Sequence, residues 1–196
     1  MEEARTYTVF AGTKWVAAGD LRSILGVTKL RLDAGASEAV LIFEDQTGQQ
    51  VDFDFRGTLD EVLERHAPAA PVRSGPGRPK LGVISREGTL LPRHWEWLES
   101  QPHGISATLR RLVEEAKKRD PGKDRARAAR DATSRFMWAM AGNLPGFEEA
   151  SRALFAGDLP RFGALIGGWP EDIRKHLMRM AGASVGSGEE TAAEAH

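Results

Sequence analysis

Residues 67–80 read APAAPVRSGPGRPK, and this stretch divides everything else in the chain. Four of the ten prolines fall in it and it has neither a helical nor a strand period, so no single helix or sheet strand can run through it. The expectation is a semi-extended, basic Pro/Gly-rich linker over 67–81. With 196 residues in all, two or three compact pieces are expected rather than several enzymatic modules.

Before the linker, TYTVFAG reads as a strand, after which Val16, Leu21, Leu25 and Leu30 recur near helical spacing. AVLIFEDQTGQQVDFDF carries two β-rich runs about an Asp45-Gln46-Thr47-Gly48 turn. Val51, Phe53 and Phe55 alternate there with Gln50, Asp52 and Asp54, which predicts a hairpin with one wet face. In GTLDEVLERH, Thr58 stands as a helix N-cap, Glu61 as its capping-box partner, and Leu59, Val62 and Leu63 on the buried side. Residues 1–66 are thus expected to form a small α+β domain.

After residue 120 the pattern turns helical. DRARAARDATSRFMWAMA has an Ala/Arg face and an aromatic stripe at Phe136, Trp138 and Met140. PGFEEASRALFAG, DLPRFGALIGG and PEDIRKHLMRMAG follow as three short helices, each broken by Gly or Pro. A helical C-terminal domain is expected over 121–182, with a small, polar, disordered tail over 183–196.

The charge balance is uneven along the chain. Residues 1–72 hold 7 basic and 12 acidic side chains, residues 73–135 hold 15 and 8, and residues 136–196 hold 5 and 8. A basic island between acidic ends points to a polyanionic partner.

That island contains the pattern strand, Pro, helix, Gly turn, helix over 82–120. REGTLL suits one short strand, Pro92 suits the first turn of a helix, and Trp95, Leu98 and Trp97 give that helix an apolar side. Pro102 and Gly104 end it, Ser106 stands where an N-cap belongs, and Leu109, Leu112, Val113 and Ala116 form the buried stripe of a second helix. Through these residues TLLPRHWEWLESQPHGISATLRRLVEEAKK resembles a ribbon-helix-helix DNA-binding domain. In that family two chains pair single strands into an antiparallel ribbon that enters the major groove, so a homodimer is implied. An isolated strand also leaves its backbone groups unpaired, which asks for a second chain on physical grounds. The whole chain, in addition, resembles an uncharacterised bacterial family known only as a domain of unknown function, which adds no mechanism.

The resemblance places Arg86 outward toward base edges, with Gly88 or, if Gly88 marks a bulge, Thr89 beside it. An Arg fork matches guanine O6 and N7, and a Thr matches a thymine methyl or a base edge. Ser106 and the free N–H groups opening the second helix resemble the family's phosphate clamp, and Arg93 and Arg110 are further phosphate candidates. Gly77-Arg78-Pro79-Lys80 resembles an AT-hook, which implies a minor-groove arm carrying Arg78 and Lys80.

Several chemistries are set aside. The chain has no Cys, which excludes disulfides, thiolate metal sites and cysteine catalysis. Its five His are scattered with no H-x-x-x-H pair, so neither metal nor cofactor is expected. No Walker loop, dinucleotide glycine pattern or nucleophile elbow is present, so no catalysis is expected. Trp95, Trp97, Trp138 and Trp169 read as core or interface aromatics, and KKRDPGKDRARAAR reads as a solvated basic surface that could also track phosphates. MEEARTYTVF lacks the basic start and apolar run of a secretory signal and no segment suits a bilayer span, so a cytoplasmic protein is expected. Two functions follow: a dimeric transcriptional regulator that reads DNA, or a non-catalytic, antitoxin-like interaction module. In the second, the central unit serves dimerisation and the acidic N- or C-terminal units bind a protein partner.

Overall fold

Tyr7, Thr8, Val9, Phe10 and Ala11 are all buried, which requires a cover on both faces of the strand they form. The computed structural model, which describes residues 5–66 and 86–183, supplies both covers. Along the chain the elements are β1 (Tyr7–Ala11), β2 (Lys14–Gly19), α1 (Leu21–Asp33), β3 (Val40–Glu44), β4 (Gln50–Val51), α2 (Leu59–His66), α3 (Pro92–Glu99), α4 (Ile105–Arg119), α5 (Pro121–Ala141), α6 (Phe147–Ala156), α7 (Leu159–Leu165) and α8 (Glu171–Gly182). The fold is α+β, and the four strands form one antiparallel sheet in the order β2-β1-β3-β4.

Two compact units are formed. The first joins both ends of the chain, residues 5–66 with 122–183, and the second is the central segment. In the first unit the strand period of two sorts side chains between faces. Tyr7, Val9 and Ile42 pack with Ile24, Leu25 and Val62 of α1 and α2. Phe10 and Phe43 point the other way, into a larger core with Phe136, Met137, Leu154, Phe162, Ile173 and Leu177 of the C-terminal helices. Edge-to-face rings tie the layers together, with Phe43 and Phe136 centroids 4.8 Å apart. The expected wet face of the hairpin is therefore wet only along Gln50 and Asp52, because helices cover the rest.

The strand β2 replaces the first turns of the expected helix. Gly12 takes φ 54°, the left-handed first position that a two-residue hairpin connection needs, and the chain returns at Lys14. Register then slips between Val9↔Ala17 and Phe10↔Trp15, so Val16 sits in a bulge rather than on a helix face. Asp20 caps α1 by accepting from the Ser23 amide at 2.9 Å, and Leu30 faces solvent at 67 % exposure. The capping box of α2 forms as expected, Glu61 Oε2 accepting from the Thr58 amide at 2.7 Å and Thr58 Oγ1 from the Glu61 amide at 3.3 Å.

Gly48 does more than close the hairpin. Its φ is 66°, and a Cβ there would fall 1.9 Å from the Ala132 carbonyl oxygen, so the turn lies directly on α5. Arg135 reinforces the contact by donating to the Thr47 carbonyl at 2.8 Å. On α5 the buried side is Ala132, Thr133, Phe136, Met137 and Ala141, which leaves Trp138 of the expected aromatic stripe 65 % exposed against Phe147.

Candidate functional site

The central unit is built from little. Pro92 starts α3 after an extended Leu91, and α3 ends at Ser100, whose hydroxyl donates to the Trp97 carbonyl at 2.7 Å. Gly104, at φ 74°, turns the chain into α4. Leu98 and Thr108 are the buried residues among those described here, at 3 % each. The expected stripe of α4 lies open: Leu109 is 37 %, Leu112 36 % and Val113 55 % exposed, and Ala116 is exposed too. Trp97 at 48 %, Leu91 at 48 % and Leu90 at 39 % extend the same apolar character onto α3 and the segment before it.

Residues 86–91 form no strand in the single chain and stand exposed. A strand is defined by a hydrogen-bonded neighbour, and none of the described residues provides one. Arg86, Gly88, Thr89 and Arg93 are all exposed. Gly88 has no left-handed φ, and a Cβ on it would meet nothing within 4 Å, so nothing within the chain demands glycine there. Arg78 and Lys80 lie outside the described residues.

Ser106 is not the N-cap of α4. The cap is Gly104, which has no side chain to offer, and Ser106 falls in the first turn. The first amide to bond within the helix is that of Thr108, to the Gly104 carbonyl at 3.1 Å. The amides of Ile105, Ser106 and Ala107 precede it at the positive end of the helix. An open recess of about 500 Å³ lies there, lined by Ser106 and Arg110 together with His103 and Glu99. Two expected phosphate contacts are thus brought together, whereas Arg93 is not among the lining residues. The sequence reading missed His103 and Glu99; their place beside the Gly104 turn was the available signal.

Charges on α4 are partly committed. Arg111 pairs with Glu115 at 2.7 Å and Lys117 with Glu114 at 3.8 Å, the i,i+4 and i,i+3 pairs of a solvated face. Lys117, Lys118 and Arg119 complement the negative end of the helix. Arg110 carries no such pair among the described residues, which leaves its guanidinium for the recess. Among the described residues no helix is long and apolar enough to cross a membrane, and no three His, Asp or Glu side chains are placed to hold a metal ion.

The model of a protein family described as "Uncharacterized protein conserved in bacteria (DUF2239)" matches residues 6–181, across both units. No curated protein and no solved structure matches the chain.

Proposed function

The chain belongs to this bacterial family, whose description assigns no chemistry, and on the properties of its central unit we propose that it is a homodimeric, sequence-specific DNA-binding protein. In this reading it is a non-catalytic, cytoplasmic transcriptional regulator. One observation carries it: Leu109, Leu112 and Val113 stand open on α4, and residues 86–91 of the same unit are exposed chain with no ladder. Two buried side chains among the described residues of this unit cannot offset the conformational entropy of ordering them. A second copy supplies what is missing on both counts, since its α4 covers the stripe and its own residues 86–91 complete an antiparallel ribbon. The ribbon then presents Arg86 and Thr89 to the major groove, while the opening turn of α4, Ser106 and Arg110 hold phosphate. Arg93 adds backbone attraction, and the Arg78-Pro79-Lys80 arm follows the adjoining minor groove.

The test is selection of bound duplexes from a random-sequence pool at about 0.15 M salt, where purely electrostatic binding is weakened. The expected result is one enriched site with two half-sites, flanked by an A·T-rich tract. Arg86→Ala is expected to relax preference at one position per half-site, at a cost of about 1–3 kcal/mol. Sequence-blind binding that disappears with salt would overturn the reading and leave the central unit as a dimerisation module alone.

A further inference from the structure

The first unit carries a pocket that plays no part in the reading of the central unit. Asp172, Lys175, His176 and Arg179 recur at i, i+3, i+4 and i+7, one face of α8, and with Trp15 of β2 they line a pocket of about 340 Å³. Its geometry is set from behind. The backbone amide of Trp15 donates to Asp172 Oδ2 at 3.1 Å, which ties the sheet edge to the first turn of α8. His176, 5 % exposed, packs against the rings of Phe10 and Phe136, with centroids 5.4 and 4.4 Å away. Thr8 Oγ1 donates to Asp45 Oδ1 at 2.6 Å, which fixes that carboxylate beside Arg179.

Arg179 is held by one end. Its Nη2 donates to His176 Nδ1 at 2.9 Å and to Thr8 Oγ1 at 3.5 Å, and lies 3.9 Å from Asp45 Oδ1. A guanidinium only donates, so Nδ1 is the acceptor and the proton of the neutral imidazole sits on Nε2. The Nε and Nη1 hydrogens of Arg179 have no partner among the described residues, and neither does His176 Nε2–H. Lys175 adds a second cation, held by Glu171 at 2.7 Å. Lys175 is thus neutralised by Glu171, so the group left to meet an anion is Arg179, whose one carboxylate within 4 Å among the described residues is Asp45, at 3.9 Å from Nη2. Trp15, 50 % exposed, supplies a flat apolar wall. An exposed indole beside unpartnered donors suits a flat ring that carries an oxyanion.

We propose that this pocket binds a small aromatic carboxylate, its ring against Trp15 and its carboxylate on Arg179. Stacking and charge act together, so neither a ring nor an anion alone is a ligand. A second groove of about 450 Å³ also uses Arg179, together with Arg125 and the alanines of α5, which makes Arg125 the natural control.

Calorimetric titration of the full chain with benzoate, salicylate and indole-3-carboxylate tests this, with acetate, benzamide and phenyl phosphate as comparisons. At least one aromatic carboxylate is expected to bind at or below about 1 mM, with acetate and benzamide at least about tenfold weaker. Trp15→Ala and Arg179→Lys are each expected to weaken binding by about tenfold, with Trp15→Phe restoring most of it and Arg125→Ala leaving it unchanged. Because Trp15 is half exposed, its variants keep the core intact and separate loss of the site from loss of the fold. Absence of heat for every aromatic carboxylate up to about 5 mM would overturn the proposal. So would tighter binding of phenyl phosphate than of any carboxylate, or affinity that follows Arg125 instead of Trp15.

Discussion

His176 is a titratable ring placed where a charge is costly. Burial pulls its pKa from the ordinary 6.5 down to about 4, and the neighbouring Arg179 cation adds to the shift while Asp45 opposes it. Between those values the unfolded chain takes up a proton that the folded chain refuses, so stability rises with pH across that window. The contribution is fully present above about pH 6.5 and is lost as pH falls toward 4, on the order of 3 kcal/mol at 1.36 kcal/mol per unit. In urea unfolding, the midpoint is expected to drop markedly from about pH 7 to about pH 4.5, and His176→Gln is expected to flatten that slope. Parallel slopes in the two proteins would refute the assignment. Nothing local to PEDIRKHLMRM announces this environment, because it is made by Phe10 and Phe136 from distant segments. Trp138, read as a core or interface aromatic, lies outside the core for a related reason: spacing within one helix cannot tell which of two adjacent large apolar side chains a partner will cover, and here it is Met137.

Elements whose signals are local were legible in the sequence. The capping box of α2 needs only Thr58 and Glu61, and both bonds form. The hairpin turn needed only its Asp45-Gln46-Thr47-Gly48 residues, although the demand for Gly48 comes equally from α5. β2 was not legible, because Trp15, Val16 and Ala17 fit either period and a bulge removes the alternation that would decide. α4 is the opposite case, for its stripe was readable but stands open in the single chain, and the proposed function assigns its cover to a second copy. Leu112→Glu would place a charge in the centre of the proposed dimer interface, which is strongly unfavourable without a partner. Light scattering during size exclusion is expected to show a dimer for the natural chain and a monomer for this variant. The near-ultraviolet signal of the first unit, where Phe136 and Trp169 are buried, should be unchanged. A dimer that persists in Leu112→Glu would remove α4 from the interface.

At the scale of the whole chain, the property least visible in the sequence is that its two ends share a core. The linker over 67–80 suggests separation, yet Phe10 and Phe43, 0 and 1 % exposed, are covered by helices that begin after residue 120. Pairing of this kind leaves no local mark, since Phe10 would look the same beneath a helix of any origin. It has an energetic consequence, because fully burying a phenylalanine contributes about 1.5–3 kcal/mol and a domain of this size has only a few kcal/mol in total. Residues 1–66 alone would expose both rings, together with the face of Gly48 that rests on Ala132. That fragment is therefore expected to be unfolded or aggregated, with poor amide dispersion in its NMR spectrum. Adding residues 122–183 in trans should restore dispersion, because those helices supply the missing half of the core. A well-dispersed spectrum from residues 1–66 alone would mean that the cluster around Val9, Ile24 and Val62 is sufficient by itself, and that the C-terminal helices dock on a sheet already folded.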